Sequence, residues 1–234
     1  MDKKLVHKSV RSGYIDTNKL AEAVQGVPTV YERFGHAKSN KVAVCLVVDE
    51  SGSMSGSKID KATTAAILLA EALKKNKEIE LFVYGHSADI SFHGSVDMRI
   101  YKEPGYISEG GMGNIPRNQL SNNADGYAIY EAAKRVRKFT NRPCVMFVMS
   151  DGAPAASIYN GMDGGVGHTK KMVDKVTKEE NMEVIQIAIE GHVPSEKMFK
   201  NYVKFTNLSE LPSSLGKLVR KIVSKMIQVT VVNY

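Results

Sequence analysis

The chain has 234 residues, 43% of them hydrophobic and 24% charged, the make-up of one globular domain with a sizeable core and appendages. Its apolar runs, such as residues 42–48 and 145–149, are far too short to cross a bilayer, and the start MDKKLVHKSVRSG has no apolar signal core, so a cytoplasmic location without a membrane partner is expected. The net charge is +7 and the pI about 9.2, yet Lys and Arg are spread along the chain without aromatic interleaving or a nucleic-acid motif; they read as solvated surface and argue against a nucleic-acid partner.

Residues 1–40 carry one short helix, 17–24, with Asp16 or Thr17 as its N-cap. Such a segment is too short to fold alone and is expected to be an extension packed on a main domain, 41–234. From Lys41 onward, buried-strand runs alternate with helix-period segments, which predicts an α/β fold: a Rossmann-like, doubly wound, mostly parallel sheet flanked by helices.

The first strand is VAVCLVV, 42–48, followed by the turn-rich DESGSMSGSK. A helix over 58–75 puts Ile59, Ala62, Ala66, Leu69, Ala70 and Leu73 on one face. The second strand is 79–85, and 96–101 reads as a short strand at the sheet edge. Residues 104–123, rich in Gly, Asn, Pro and Ser, read as a long loop.

A helix over 125–138 turns Ile129, Ala132, Ala133 and Val136 inward, and the strand CVMFVMS closes on Asp151-Gly152. GMDGGVG, 161–167, lacks the Lys-Ser/Thr of a phosphate loop and is expected to be a flexible loop ahead of a helix that ends near Glu179. A strand follows to Glu190, a weaker one over 202–206, and a last helix over 209–226 with Leu215, Leu218, Val219, Ile222, Val223 and Met226 in a core-facing stripe. The tail QVTVVNY is expected to add an edge strand. Cys45 and Cys144 lie in the central strands and read as buried, reduced thiols, since neither has a second ligand at metal spacing.

The chemistry concentrates in three places. Asp49, Ser51 and Ser53 stand directly after the first strand, where open α/β sheets bind ligands, and offer oxygen donors at alternating positions suited to a hard cation such as Mg²⁺ or Mn²⁺. Asp151 ends a second central strand, so two carboxylates meet at one sheet edge, where they repel unless a cation lies between them. Asn123 or Asp125, at the end of the long loop, supplies a further oxygen, although Asp125 also suits a helix cap. His86 and His192 follow apolar strands and are secondary candidates for contact with this edge.

Strand-DxSxS, a loop oxygen ligand and strand-S/T-D-G resemble, in order, the metal-ion-dependent adhesion site (MIDAS) of von Willebrand factor A domains. The segments RSGYIDTNKLAEAV, VVDESGSM, NNADGYAIYEAAKRV and VMSDGAPAAS are more narrowly similar to the C-terminal A-type domain of the cobaltochelatase CobT subunit, over about residues 11–221. That resemblance implies a non-catalytic adaptor module working with an AAA+ (MoxR-like) ATPase, without implying cobalt chemistry. Asn123 stands where many A-type domains carry threonine, as in the CobT-like branch, and the following Asp125 makes the site more anionic.

The expectation is therefore a metal-dependent binding module whose partner donates an Asp or Glu carboxylate. A metal-assisted phosphoryl-transfer hydrolase is the enzyme alternative; Ser51 in place of a second aspartate, and no conspicuous lysine-acid pair, argue against it. A virion or scaffold adhesion component is the third reading.

Overall fold

A computed structural model describes residues 4–36, 41–74, 78–108, 110–117, 121–189, 194–205 and 207–232. The chain divides between Asn40 and Lys41 into two units. In the first, strands Lys4–Val10 (β1), Tyr14–Ile15 (β2) and Tyr31–His36 (β3) form an antiparallel sheet of order β1-β3-β2. Between β2 and β3, a 3-10 turn at Thr17–Lys19 leads into Leu20–Val24 (α1), and the Asp16 carboxylate caps this turn by accepting from the Asn18 amide at 3.0 Å. The expected helix and its cap are present. The strands around it were not anticipated, because β2 is two residues long and β1 pairs through a register shift between His7 and Val10.

The second unit contains Val42–Asp49 (β4), Ser57–Lys74 (α2), Ile79–Ala88 (β5), Val96–Glu103 (β6), Tyr106–Ile107 (β7), Asp125–Phe139 (α3) and Cys144–Ser150 (β8). Met162–Glu179 (α4), Met182–Ile189 (β9), Ser195–Met198 (α5), Asn201–Phe205 (β10) and Leu211–Val232 (α6) complete it. The sheet order is β10-β9-β8-β4-β5-β6-β7, with β10 through β5 parallel and β6 and β7 antiparallel.

Both faces of this sheet are covered, which is why β4 and β8 are buried along their whole length and apolar up to their last residues, Asp49 and Ser150. Val42, Val44, Leu46 and Val48 join Ile59, Ala62, Ala66, Leu69 and Leu73 of α2 and Leu215 and Val219 of α6 in one core. Ala43, Cys45 and Val47 face the opposite way, onto Ala128, Ile129, Ala132, Ala133 and Val136 of α3 and Val173 and Val176 of α4. Cys45 and Cys144 are free thiols sealed in this second core, where burial pushes both of them up.

Four expectations are corrected. β6 is not the sheet edge, since β7 pairs outside it. The presumed loop 104–123 contains β7 and a 3-10 stretch, Gly111–Arg117, and Ser121 and Asn122 are tied down by backbone hydrogen bonds to Gly52 and Ala88. Residues 228–232 of the tail continue α6 instead of forming a strand, because extending an existing helix adds one bond per residue without a new nucleus.

The fourth correction concerns GMDGGVG, whose residues from Met162 onward form the first turns of α4. Gly165 serves close packing there. A Cβ on Gly165 would run into the carbonyl oxygen of Pro154, in the loop that follows Asp151, whereas Gly167 on the same helix faces open space. Among the described residues, no helix is long and apolar enough to cross a membrane.

The two glycines are expected to respond oppositely to alanine. Gly165→Ala forces helix and loop apart and costs about 1–3 kcal/mol, while Gly167→Ala removes backbone entropy from an exposed helical position and adds ~0.5–1 kcal/mol. Urea unfolding of the two variants beside wild type measures both signs.

Candidate metal centre

Asp49 is the last residue of β4, and Glu50-Ser51 carries the chain off the sheet into a 3-10 turn, Gly52–Met54. The Asp49 carboxylate accepts the Ser51 amide at 2.8 Å, bending the turn back over the strand end and presenting Ser51 and Ser53 side by side. Their hydroxyl oxygens are 3.1 Å apart. β8 lies beside β4 with Val48 opposite Met149, so Asp151 emerges at the same edge. The Ser53 hydroxyl donates to Asp151 Oδ1 at 2.7 Å.

The third contribution comes from the start of α3. The Asn123 amide nitrogen lies 3.4 Å from Asp49 Oδ2 and 3.5 Å from Asp125 Oδ1. One chain of contacts thus runs from Asp125 through Asn123, Asp49, Ser51 and Ser53 to Asp151, and the structure brings all six sequence-selected residues together. Only Ser53 and the rim of the turn are exposed; Asp49 and Asp125 are fully buried.

The electrostatics record the crowding. Burial pushes the Asp49 carboxyl up to about 7, against the hydrogen bonds from Ser51, and the Asp151 charge adds to the rise. Burial likewise raises Asp125 well above the carboxylate range, reinforced by Asp49 and Asp151. Among the described residues, no three His, Cys, Asp or Glu side chains alone make a metal site, so a cation held here depends on the serine hydroxyls.

The donor set suits a hard divalent cation: carboxylates from two adjacent strands, two hydroxyls and an oxygen from the α3 loop. For that last oxygen, Asp125 is the better placed of the two candidates. Asn123 Oδ1 already accepts the Ala155 amide at 2.8 Å, whereas Asp125 Oδ2 is buried with no hydrogen-bond partner.

A family model described as the cobalamin biosynthesis protein CobT VWA domain matches residues 30–115 and 108–225. The chain belongs to this family. It is also 25% identical over 245 residues to the uncharacterized protein YojO of Bacillus subtilis (strain 168), a match that covers 96% of this chain and 37% of that protein. The chain therefore spans little more than a third of the length of this curated relative.

Solved structures similar in fold include the pilus adhesin SpaC of Lactobacillus rhamnosus GG, with TM-score 0.60, 13% identity and coverage of 81% of this chain and 31% of that one. The vWF domain of the type V pili tip protein Mfa5 from Porphyromonas gingivalis gives TM-score 0.56 and 7% identity over 81% and 97% of the two chains. Proximal thread matrix protein 1 from the mussel byssus, with a zinc-occupied MIDAS motif, gives 0.55 and 12% over 78% and 46%. At such identities these likenesses show the fold, a von Willebrand factor A domain. A neighbour of this fold thus holds a divalent metal in the motif that residues 49–53 of the CobT-type chain resemble.

Two further residues of the CobT-type chain lie against these six. His86, opposite Asp49 on β5, is fully buried with Nε2 3.5 Å from Asp125 Oδ1. Burial, aided by the Arg99 charge, lowers its pKa to about 3, so it stands behind Asp125 as a neutral ring and not as an ion-pair partner. His192 falls outside the described residues. Lys58, in the first turn of α2, was missed: its ammonium lies 2.5 Å from Asp151 Oδ2 and 3.2 Å from the Ser53 carbonyl oxygen. Its signal was its place one helical turn beyond the serines, but only the fold shows that the turn points at Asp151.

Asp89 was missed as well, and no local signal marks it. Its carboxylate accepts from Gly94 N at 2.7 Å, Ser157 N at 2.8 Å, Ser157 Oγ at 2.6 Å and Asn122 Nδ2 at 2.9 Å. Burial alone would raise its pKa, yet these bonds hold it well below the carboxylate range. Asp89 so ties together the loops that follow β5 and β8 and precede α3.

The raised Asp49 predicts a pH response of the metal-free protein. Between about pH 4 and 7 the folded chain keeps a proton that the unfolded chain has released, so stability falls as pH rises through that window. In EDTA at pH 8, Asp49→Asn is expected to be more stable than wild type by about 1–2 kcal/mol, or roughly 2–8 °C in Tm, with a flatter pH profile. Calorimetric melts across pH 4–8 check this; a destabilised, still pH-dependent variant would show that Asp49 acts as a turn cap.

Proposed function

We propose that this chain is a non-catalytic, divalent-cation-dependent protein-binding module of the CobT-like A type, working in the cytoplasm with an AAA+ (MoxR-like) ATPase. The observation that carries the reading is the convergence of Asp49, Ser51, Ser53 and Asp151 from the ends of two adjacent parallel strands, with Asp125 and Asn123 closing the set. The resemblance to CobT adds the ATPase as the partner class.

Ser51, Ser53 and Asp125 or Asn123 would hold Mg²⁺ or Mn²⁺, with Asp49 and Asp151 coordinating directly or through water. A bound cation supplies a concentrated positive charge with an exchangeable coordination position. The residues do the rest. Ser53 lies exposed at the rim, where a partner could reach the cation, while the buried carboxylates of Asp49 and Asp125 would anchor it from beneath. An Asp or Glu side chain of the partner, replacing a water, is the chemistry such a position selects.

One observation speaks for a metal-assisted phosphoryl-transfer hydrolase: Lys58 and Asp151 form the lysine-acid pair that sequence reading did not find. Asp49, however, is a poor nucleophile as placed. It is fully buried, Oδ1 accepts the Ser51 amide and Oδ2 faces the Asn123 amide nitrogen. Binding is the better-supported class, and turnover of an aryl phosphate with Mg²⁺ would reverse that ranking. A role as a virion or scaffold adhesion component is the remaining reading, and an adjacent AAA+ gene rather than structural genes would argue against it.

Titration calorimetry is expected to show one Mg²⁺ or Mn²⁺ per chain, with affinity reduced at least tenfold in Asp49→Ala and in Ser53→Ala. Equal metal binding by wild type and Asp49→Ala would sink the site. Capture of the AAA+ partner is expected to vanish in EDTA, to return with Mg²⁺ or Mn²⁺, and to be lost when one acidic residue of the partner becomes alanine. Capture unchanged by EDTA would move the interface to another surface.

A further inference from the structure

The centre has a charge problem that the serines do not solve. Ionised around a divalent cation, Asp49, Asp125 and Asp151 outnumber its charge by one, and the site would repel the carboxylate that the proposed function requires. Lys58 answers this from an unexpected direction. Its ammonium is bound to Asp151 through Oδ2, the oxygen that Ser53 does not use, and also to the Ser53 carbonyl oxygen. The Lys58 side chain is 25% exposed while that of Asp151 is 1% exposed, so the positive charge lies at the mouth of the site and the negative one beneath it.

We propose that Lys58 is a specificity-determining residue: by neutralising Asp151 it makes the cation-loaded centre accept an anionic ligand, and it adds attraction where that ligand arrives. The inference rests on the metal-dependent reading above. It separates two properties that a simple metal site couples. Lys58 is a positive charge beside a cation and weakens metal binding, yet it strengthens binding of a carboxylate to the loaded site. Geometry supports the division of labour. With Lys58 holding Oδ2, Asp151 keeps Oδ1 turned toward Ser53 and the metal side of the turn.

The probe is acetate with Mn²⁺-loaded protein, followed by paramagnetic relaxation of the acetate methyl protons, with the Mn²⁺ affinity measured separately by calorimetry. Wild type is expected to give saturable relaxation enhancement. In Lys58→Met, and in Lys58→Gln as a second neutral variant, Mn²⁺ affinity is expected to stay equal or rise up to several-fold, while acetate binding weakens about tenfold, as for removal of one partly screened charge. Lys58→Arg, which keeps the charge, is expected to bind acetate within about threefold of wild type. Unchanged acetate binding in both neutral variants, or a parallel loss of Mn²⁺ affinity, overturns the proposal; the second result would make Lys58 a prop for Asp151. If wild type binds Mn²⁺ but never brings acetate near it, the carboxylate-bridge reading itself falls, and that failure is visible without any Lys58 variant.

Discussion

Like charges do not gather unless something stronger holds them, and here the something is a ladder of backbone hydrogen bonds. β4 and β8 pair in parallel from Ala43 with Cys144 to Val48 with Met149, and each strand ends within two residues of an aspartate. The ladder is buried on both sides between α2 with α6 and α3 with α4, so the strand ends cannot slide apart to relieve repulsion between Asp49 and Asp151 without opening the core. Burial first, and the neighbouring charges second, raise Asp49 and Asp125 as the local cost of that constraint. Crowding of carboxylates at one edge of a sheet is a common mark of a functional site.

The surroundings keep this edge rigid. Glu50, next to Asp49, is fully buried and accepts from Arg99 Nη1 at 2.5 Å and from the Tyr101 hydroxyl, while Gly85 leaves room for its carboxylate. A second group, built from β5, β6 and α3, repeats the pattern, with Tyr84 and Arg135 donating to Glu103 at 2.9 and 2.5 Å. Buried pairs of this kind add little net stability against an apolar replacement, but they admit few alternative registers, and β6 pairs with β5 through a shift at Val83/Tyr84 beside them. Asp89 does for the loops what these pairs do for the strands.

Neutral and positive groups then sort the three carboxylates into different roles. Asp49 is enclosed by the Ser51 and Asn123 nitrogens, Asp125 has the uncharged His86 ring and an unpartnered oxygen, and Asp151 has Ser53 on one oxygen and Lys58 on the other. A cation entering such a set would meet one carboxylate paired with Lys58 and two, Asp49 and Asp125, that burial shifts toward the protonated form, so its binding would be linked to pH.

Much of this was legible along the chain. Periodicity located β4, α2, β5, α3, β8, α4 and β9, because a two-sided sheet demands apolar strands and its covering helices a 3.6-residue stripe. The six residues gathered at this edge of the sheet were readable for the same reason: parallel strands of an α/β sheet end on one side, so an aspartate after each of two central strands is a statement about space. What stayed hidden depends on contacts between segments far apart in sequence. GMDGGVG reads as a loop until Pro154 is seen against Gly165, the tail reads as a strand until α6 is seen to run on through it, and Asp89 and Lys58 acquire meaning only when Ser157, Asn122 and Asp151 are brought to them. Local sequence determined which elements form and which residues reach the sheet edge, since both follow from hydrophobic period and strand direction; tertiary structure alone decided how the charges there are balanced, because Coulomb interactions depend on distance in space and not along the chain.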